Sequence, residues 1–356
     1  MSHQAANLLV GIGVLSLAAH WLAWRVRLPA IVFLLAAGIV AGPLTDWLHP
    51  DALFGDLLFP IVSLAVAIIL FEGGLTLRLR EVRGLEAPVR RLLTLGVMIT
   101  WASTTALAWF FIDLSLELAV LLGAITVVTG PTVIGPLLRS VRPNQRVARV
   151  LRWEGIVIDP IGALIAVLVF EFLLSTGEGA SLSASLLTFT LLLVEGTVIG
   201  AAAGWVTGVV LRRYWLPAYL HSLGTLVAAI TVFHLANQIH AESGLLAVTV
   251  MGIWLANMKR VPLDDILPFK ENLSLMLISG LFVLLAARLE PAAIPALGWG
   301  VLALLLGMQL LGRPLAVLAS TLGTSLSWSE RALLGWIAPR GIVAAAVSAL
   351  FALRLE

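Results

Sequence analysis

The chain has no cysteine and little charge. Without thiols it can build neither a disulfide nor a thiolate metal centre. Only 12% of its 356 residues are Asp, Glu, Lys or Arg, against about 25% in ordinary soluble domains. It lacks the alternating, turn-punctuated segments of about 10 residues that a membrane β-barrel requires. Its first residues, MSHQAANLLV, carry no basic stretch and no small-residue cleavage site. They read as the start of a first membrane helix and not as a removed signal peptide. The net charge is only +2 and the basic residues are dispersed, which leaves no nucleic-acid footprint. There is no G-x-S-x-G elbow and no H-E-x-x-H helix, and an isolated Asp-Pro is weak support for hydrolysis. Neither an enzyme nor a cofactor is expected.

What the chain has is apolar length. Hydrophobic residues make up 60% of it, and runs of about 20 recur throughout, the pattern of an all-α polytopic membrane protein embedded in a lipid bilayer. Twelve spans are expected, near 6–24, 29–44, 57–76, 89–112, 115–138, 149–173, 182–211, 218–237, 243–258, 266–287, 292–322 and 331–353. Loops after odd-numbered spans hold the basic residues, among them Arg25, Arg27, Arg78, Arg80, Arg90, Arg91, Arg142, Arg146, Arg212, Arg213, Lys259 and Arg260. Loops after even-numbered spans are mostly acidic, with Asp46, Asp51, Asp113, Glu178 and Glu290; Arg288 is the main exception. This bias places the first set in the cytoplasm and the N-terminus outside. If 182–211 is a linker helix, residues 6–173 and 218–356 form two halves of opposite topology within one transporter domain, 1–356, the inverted-repeat plan of secondary transporters. The second half is then one helix short, and a thirteenth span is expected to be missing.

Two spans carry helix breakers at matching depth. Span five has Thr129-Gly130-Pro131 at its centre, and span twelve has Pro339-Arg340-Gly341. Paired interrupted helices are the best pointer in a sequence to a mid-membrane ion site, because half-helix ends carry partial charges that meet an ion. Span six, RVLRWEGIVIDPIGALIAVLVFEF, brings Glu154 and Asp159 into the bilayer. Ionisable groups there are functional by default. A carboxyl in hydrocarbon is stable with a proton or beside a cation, and not alone as an anion. Asp159 is therefore the expected site of competition between a proton and a cation. Glu154 lies five residues earlier, about 140° around the helix, and is expected to form a structural ion pair with Arg340, read as the one clear base within the membrane. Glu72 is either a snorkelling residue or part of an inner funnel. Glu195 reads as a packing residue of the linker helix, and His221, His234 and His240 as core or interfacial histidines.

These motifs resemble a family. FEGGL at 71–75, Thr-Gly-Pro in span five, EGxxxDP at 154–160 and PRG at 339–341 are similar to the monovalent cation/proton antiporters of the NhaP and sodium/proton exchanger branch. The resemblance covers almost the whole chain. It implies a thirteen-helix fold with two interrupted helices crossing near the midplane, a homodimer, a bacterial inner-membrane location, and exchange of Na+, Li+ or K+ for H+ by alternating access. It also implies that Asp159 binds cation and proton, with Thr129 or Thr132 adding oxygen ligands from the unwound segment. Members commonly have Asp where this chain has Gly130, Asn where it has Ile158, and often Ser where it has Gly155. A site thus stripped relies more on Asp159, backbone carbonyls and water. One cation per proton is expected, since one acid does the binding. A cation channel on the same scaffold is the alternative, but no filter-like repeat supports it.

Overall fold

The computed structural model describes residues 2–26, 28–82, 85–175, 182–240, 243–262, 267–289 and 298–338, together with 344 and 348. Among these residues every regular element is helical, as hydrocarbon demands of a chain that must satisfy its own backbone. The first group of helices is α1 (Ser2–Val26), α2 (Ala30–Ile39, continued by a wide turn over Val40–Leu44), α3 (Pro50–Phe54), α4 (Leu58–Leu75), α5 (Glu86–Arg91), α6 (Val97–Phe111), α7 (Leu116–Val127) and α8 (Pro131–Val141). There follow α9 (Gln145–Ser175), α10 (Leu182–Arg212), α11 (His221–Ile239), α12 (Ser243–Asn257), α13 (Leu267–Ala287), α14 (Gly298–Gly307), α15 (Arg313–Thr321) and α16 (Trp328–Trp336). Seven stretches among the described residues are long and apolar enough to cross a membrane, and four shorter apolar helices accompany them.

The expected span five is two helices, α7 and α8, separated by Val128, Thr129 and Gly130. Pro131 occupies the first turn of α8, the one helical position where its missing amide donor is harmless. In the expected span twelve, α16 stops at Trp336 and Ile337 is extended (φ −85°, ψ 106°). Pro339, Arg340 and Gly341 lie outside the described residues.

Packing sorts the helices into two groups. α1, α2, α4 and α10 to α13 contact one another, as do α6 to α9 and α14 to α16. Contacts between the groups run largely through α9, which touches α4, α10 and α12, and through α8 against α2 and α4. The tightest seam is α10 on α12. Gly196, Gly200, Gly204 and Gly208 fall at four-residue intervals along α10, on one helical face. A Cβ added at Gly196 would come 3.1 Å from the Ser243 carbonyl, and one at Gly204 would come 3.0 Å from that of Met251. On its far side α12 meets α4 just as closely, since a Cβ on Gly74 would sit 2.6 Å from the Thr249 carbonyl. In lipid no hydrophobic force draws helices together, so backbone approach of this kind supplies the attraction. Glu195, at the head of the glycine series, shares a hydrogen bond with the next helix pair: its Oε2 lies 2.6 Å from Nδ1 of His240.

The start of α16 is anchored to the α8–α9 turn. Ser327 and Glu330 form a reciprocal capping box, and Asn144 Nδ2 donates to Glu330 Oε1 at 2.9 Å. The Ser327 amide, with lesser help from Asn144, the Ser327 hydroxyl and Arg146, holds the Glu330 carboxyl below its ordinary range against the opposing effect of burial.

The glycine seam makes a direct prediction. Gly200→Val should force α10 off the Ala247 carbonyl and lower stability by about 1–3 kcal/mol. Gly13→Val, at a position with open space around it, should leave the thermal midpoint of the detergent-purified protein unchanged.

Candidate ion-binding site

α9 runs without interruption from Gln145 to Ser175, straight through Pro160. It carries Glu154 and Asp159 deep in the protein, at 2% and 1% exposure. Gly155, Asp159 and Gly162 fall within about 60° of one another around this helix. The extended segment between α7 and α8 lies across that face. A Cβ on Gly162 would be 2.8 Å from Val128 Cγ2 and 3.1 Å from Val128 Cα. One on Gly155 would overlap Ile134 Cδ1 and lie 3.7 Å from the Gly130 carbonyl carbon. Val128 is thus over Gly162 and Gly130 over Gly155, with Asp159 between them. At Gly162 nothing larger than glycine lets the backbone of the broken helix lie so close, whereas at Gly155 the backbone contact is an ordinary 3.7 Å and only the Ile134 side chain would have to move.

Among the described residues two buried polar atoms here have no hydrogen-bond partner, Asp159 Oδ1 and Thr129 Oγ1. An unpaired buried polar atom costs about 1–3 kcal/mol, and more for a charged group. Such exceptions in a folded protein call for an explanation, and a bound ion or water is one of those open to this pair.

Glu154 is fully engaged. Arg313 Nη1 donates to its Oε1 and Nη2 to its Oε2, the latter at 2.9 Å. The pairing expected with Arg340 is therefore corrected: the arginine on Glu154 is Arg313, and Arg340 lies outside the described residues. Arg313 stands at the start of α15 and is 5% exposed. Its Nε also donates to the carbonyls of Leu334 (3.1 Å) and Ile337 (2.9 Å). One guanidinium thus joins α9 to the frayed end of α16. The sequence held the signal, because Arg313 falls inside the apolar run 292–322.

A small cavity of about 10 Å³ lies between the breaks, lined by Val127, Thr129, Glu154, Ile158, Arg313 and Ala338 among others. It has room for about one water. Thr129 comes from the break in span five and Ala338 from the segment following α16, so the two interrupted helices converge here. The carbonyl ends of α7 and α16 both point toward this region, and such ends favour a cation. Thr132 lies in the first turn of α8, on the amide side of the break. Glu72 is half-buried near the end of α4, at the contact with α12, and does not line this cavity. Among the described residues no cluster of three or more metal-ligating side chains occurs.

A helical membrane protein with a helix broken across a buried aspartate, and with the end of another helix meeting that break at a small cavity, has the architecture of a secondary ion transporter. The family model for the sodium/hydrogen exchanger, transmembrane, matches residues 12–354, and the chain belongs to that family. It is 29% identical over 322 residues to the K(+)/H(+) antiporter NhaP2 of Shewanella sp. (strain ANA-3), covering 90% of this chain and 55% of that protein. It is 26% identical over 350 residues to the probable Na(+)/H(+) antiporter 2 of Methanocaldococcus jannaschii, covering 92% and 80% respectively. The chain thus spans about half the length of the Shewanella relative. Its fold matches that of the sodium proton antiporter MjNhaP1 from Methanocaldococcus jannaschii, with a TM-score of 0.84, 24% identity and coverage of 100% of this chain and 89% of that one.

Arg313→Ala should destabilise the protein by about 3–5 kcal/mol, because it strands a buried carboxylate. Adding Glu154→Gln should recover part of the loss, whereas Asp159→Asn alone should leave the thermal midpoint at or above that of the wild type.

Proposed function

We propose that the chain is the transport domain of a secondary antiporter exchanging a monovalent cation, Na+, Li+ or K+, for H+ by alternating access. Asp159 carries one or the other at a time. The observation that supports this most is the unpartnered Asp159 Oδ1, held between Gly155 and Gly162 beneath the break of span five. A carboxylate without protein donors is ready for an ion or a proton, and it cannot hold both. Thr129, with its free buried hydroxyl, and Thr132 are the side-chain oxygens nearest the break in sequence, and its backbone carbonyls complete the ligand set. Glu154 and Arg313 hold the two interrupted helices together while Asp159 cycles. Glu72 is the candidate for an inner funnel. Pro339 and Gly341 are the candidate breakers of span twelve, matching Gly130 and Pro131 in span five.

What supports alternating access is the sorting of the helices into two packing groups joined mainly through α9. One group moves against the other, carrying Asp159 between the two sides. The halves 6–173 and 218–356 are the inverted repeats, with α10 as the linker. The protein works as a homodimer in the bacterial inner membrane with its N-terminus outside. One cation per proton makes the exchange electroneutral. K+ is the preferred cargo. Gly130, Gly155 and Ile158 supply no side-chain oxygen, so the site compensates lost hydration weakly, and K+ gives up its water at lower cost than Na+. The names of the Shewanella NhaP2 relative and of the Alkalimonas amylolytica NhaP, 28% identical over 353 residues, point the same way.

In proteoliposomes with an imposed pH gradient, 86Rb+ uptake should exceed 22Na+ uptake and should not respond to membrane potential. Asp159→Asn should abolish uptake of both in a folded protein. Wild-type exchange by that variant would remove Asp159 as the carrier, and a voltage-dependent rate would contradict electroneutrality.

A further inference from the structure

The turn joining α10 to α11 takes no part in the ion site. It holds Arg212, Arg213, Tyr214, Trp215 and Tyr219, and its two tyrosines are the only ones in the chain. All five side chains are exposed, Trp215 at 65% and Tyr219 at 82%. The backbone presenting them is built and not loose. The Tyr214 amide donates to the Leu211 carbonyl and the Trp215 amide to that of Val210, both at 3.1 Å. Tyr214 adopts a left-handed φ of 52°, turning the chain off the end of α10. Leu216 then folds back. Its side chain fills the space over Gly224, 2.8 Å from where a Cβ would sit. Its carbonyl lies 3.0 Å from Nε2 of the fully buried His221. The Tyr214 ring leans on that imidazole at 5.6 Å, and the Arg213 guanidinium lies 5.7 Å over the Trp215 ring.

The end of α12 adjoins this turn. Gly208, in the last turns of α10, backs onto the Met258 sulfur, and the next residues, Lys259 and Arg260, are exposed. Four cations therefore share one rim. Between Gly196 and Pro262 the only acid is Glu242, which follows the opposite end of α11; Asp264 and Asp265 come next in the sequence and lie outside the described residues. None of the four enters an ion pair among the described residues.

We propose that this rim binds the headgroup phosphate of an anionic phospholipid. Arginine forks match phosphate oxygens, and exposed Trp and Tyr favour the headgroup level of a bilayer. Arg212 and Arg213 face the phosphate from α10, and Lys259 and Arg260 face it from α12. Tyr214, Trp215 and Tyr219 seat the glycerol and upper acyl region. A lipid held from both sides fastens α10 to α12 at the end of the glycine seam, so its binding stabilises the fold. The proposal does not depend on the antiport reading.

The test uses the purified chain in detergent, titrated separately with phosphatidylglycerol, phosphatidylcholine and inorganic phosphate. Retained lipid is read by native mass spectrometry and stability by thermal midpoint. Phosphatidylglycerol should be retained over phosphatidylcholine and should raise the midpoint. R212Q/R213Q should weaken its retention about 25-fold, roughly five-fold per charge removed. Equal retention by wild type and the double variant would overturn the site. An equal rise in midpoint with inorganic phosphate would overturn the lipid assignment in favour of a soluble anion. Should the variant not fold, rising salt applied to the wild type decides. Phosphatidylglycerol retention must fall with ionic strength while that of phosphatidylcholine does not, and salt-independent retention overturns the proposal.

Discussion

The bidentate pair of Glu154 and Arg313 is the constraint on which the centre of this protein depends. Each charge alone is intolerable in a low-dielectric interior, and a buried pair is stable only when its geometry is good and its remaining donors are satisfied. Arg313 meets both conditions. Two of its nitrogens face the carboxylate, and its third donates to the carbonyls of Leu334 and Ile337. Those carbonyls belong to the end of α16, where the helix gives out and the backbone would otherwise lack partners. The same guanidinium that neutralises Glu154 therefore allows span twelve to be interrupted at this depth.

With Glu154 occupied, Asp159 is the acid left over. Its surroundings are shaped by close approach and not by hydrogen bonds. Gly155 and Gly162 let the break of span five settle onto α9 on either side of it, and Ile134 fills the groove over Gly155. The helix is rigid and continuous, the segment across it is extended, and the carboxyl between them has an oxygen with no partner. Two acids five residues apart on the same helix are thus held differently: Glu154 is paired with Arg313, and Asp159 keeps an oxygen without a partner among the described residues.

Much of this was legible in the residues themselves. The break at Thr129-Gly130-Pro131, the burial of Glu154 and Asp159 and the all-helical membrane fold follow from apolar length, helix breakers and the cost of charge in lipid. The partner of Glu154 was not legible. Arg340 lies beside a proline and a glycine and draws attention as a base at a break, whereas Arg313 sits in an apolar run with no local mark of its role. Choosing between two arginines requires knowing which helix faces α9. The glycine series on α10 shows the same limit. Its four-residue spacing is visible in the sequence, but that it lies on α12, which in turn lies on α4, is a fact of packing.

Hydropathy, charge bias and the positions of proline and glycine by themselves determined that this chain crosses a membrane many times, interrupts two helices and buries two acids in a third. These are local properties, set by the solvation of single residues and single turns. Tertiary structure alone decided which arginine neutralises Glu154, which glycine admits the backbone of the broken helix and that Asp159 Oδ1 has no partner among the described residues. Those outcomes depend on contacts between residues far apart in the chain, as between Glu154 and Arg313, and no periodicity along a sequence encodes a distance across a fold.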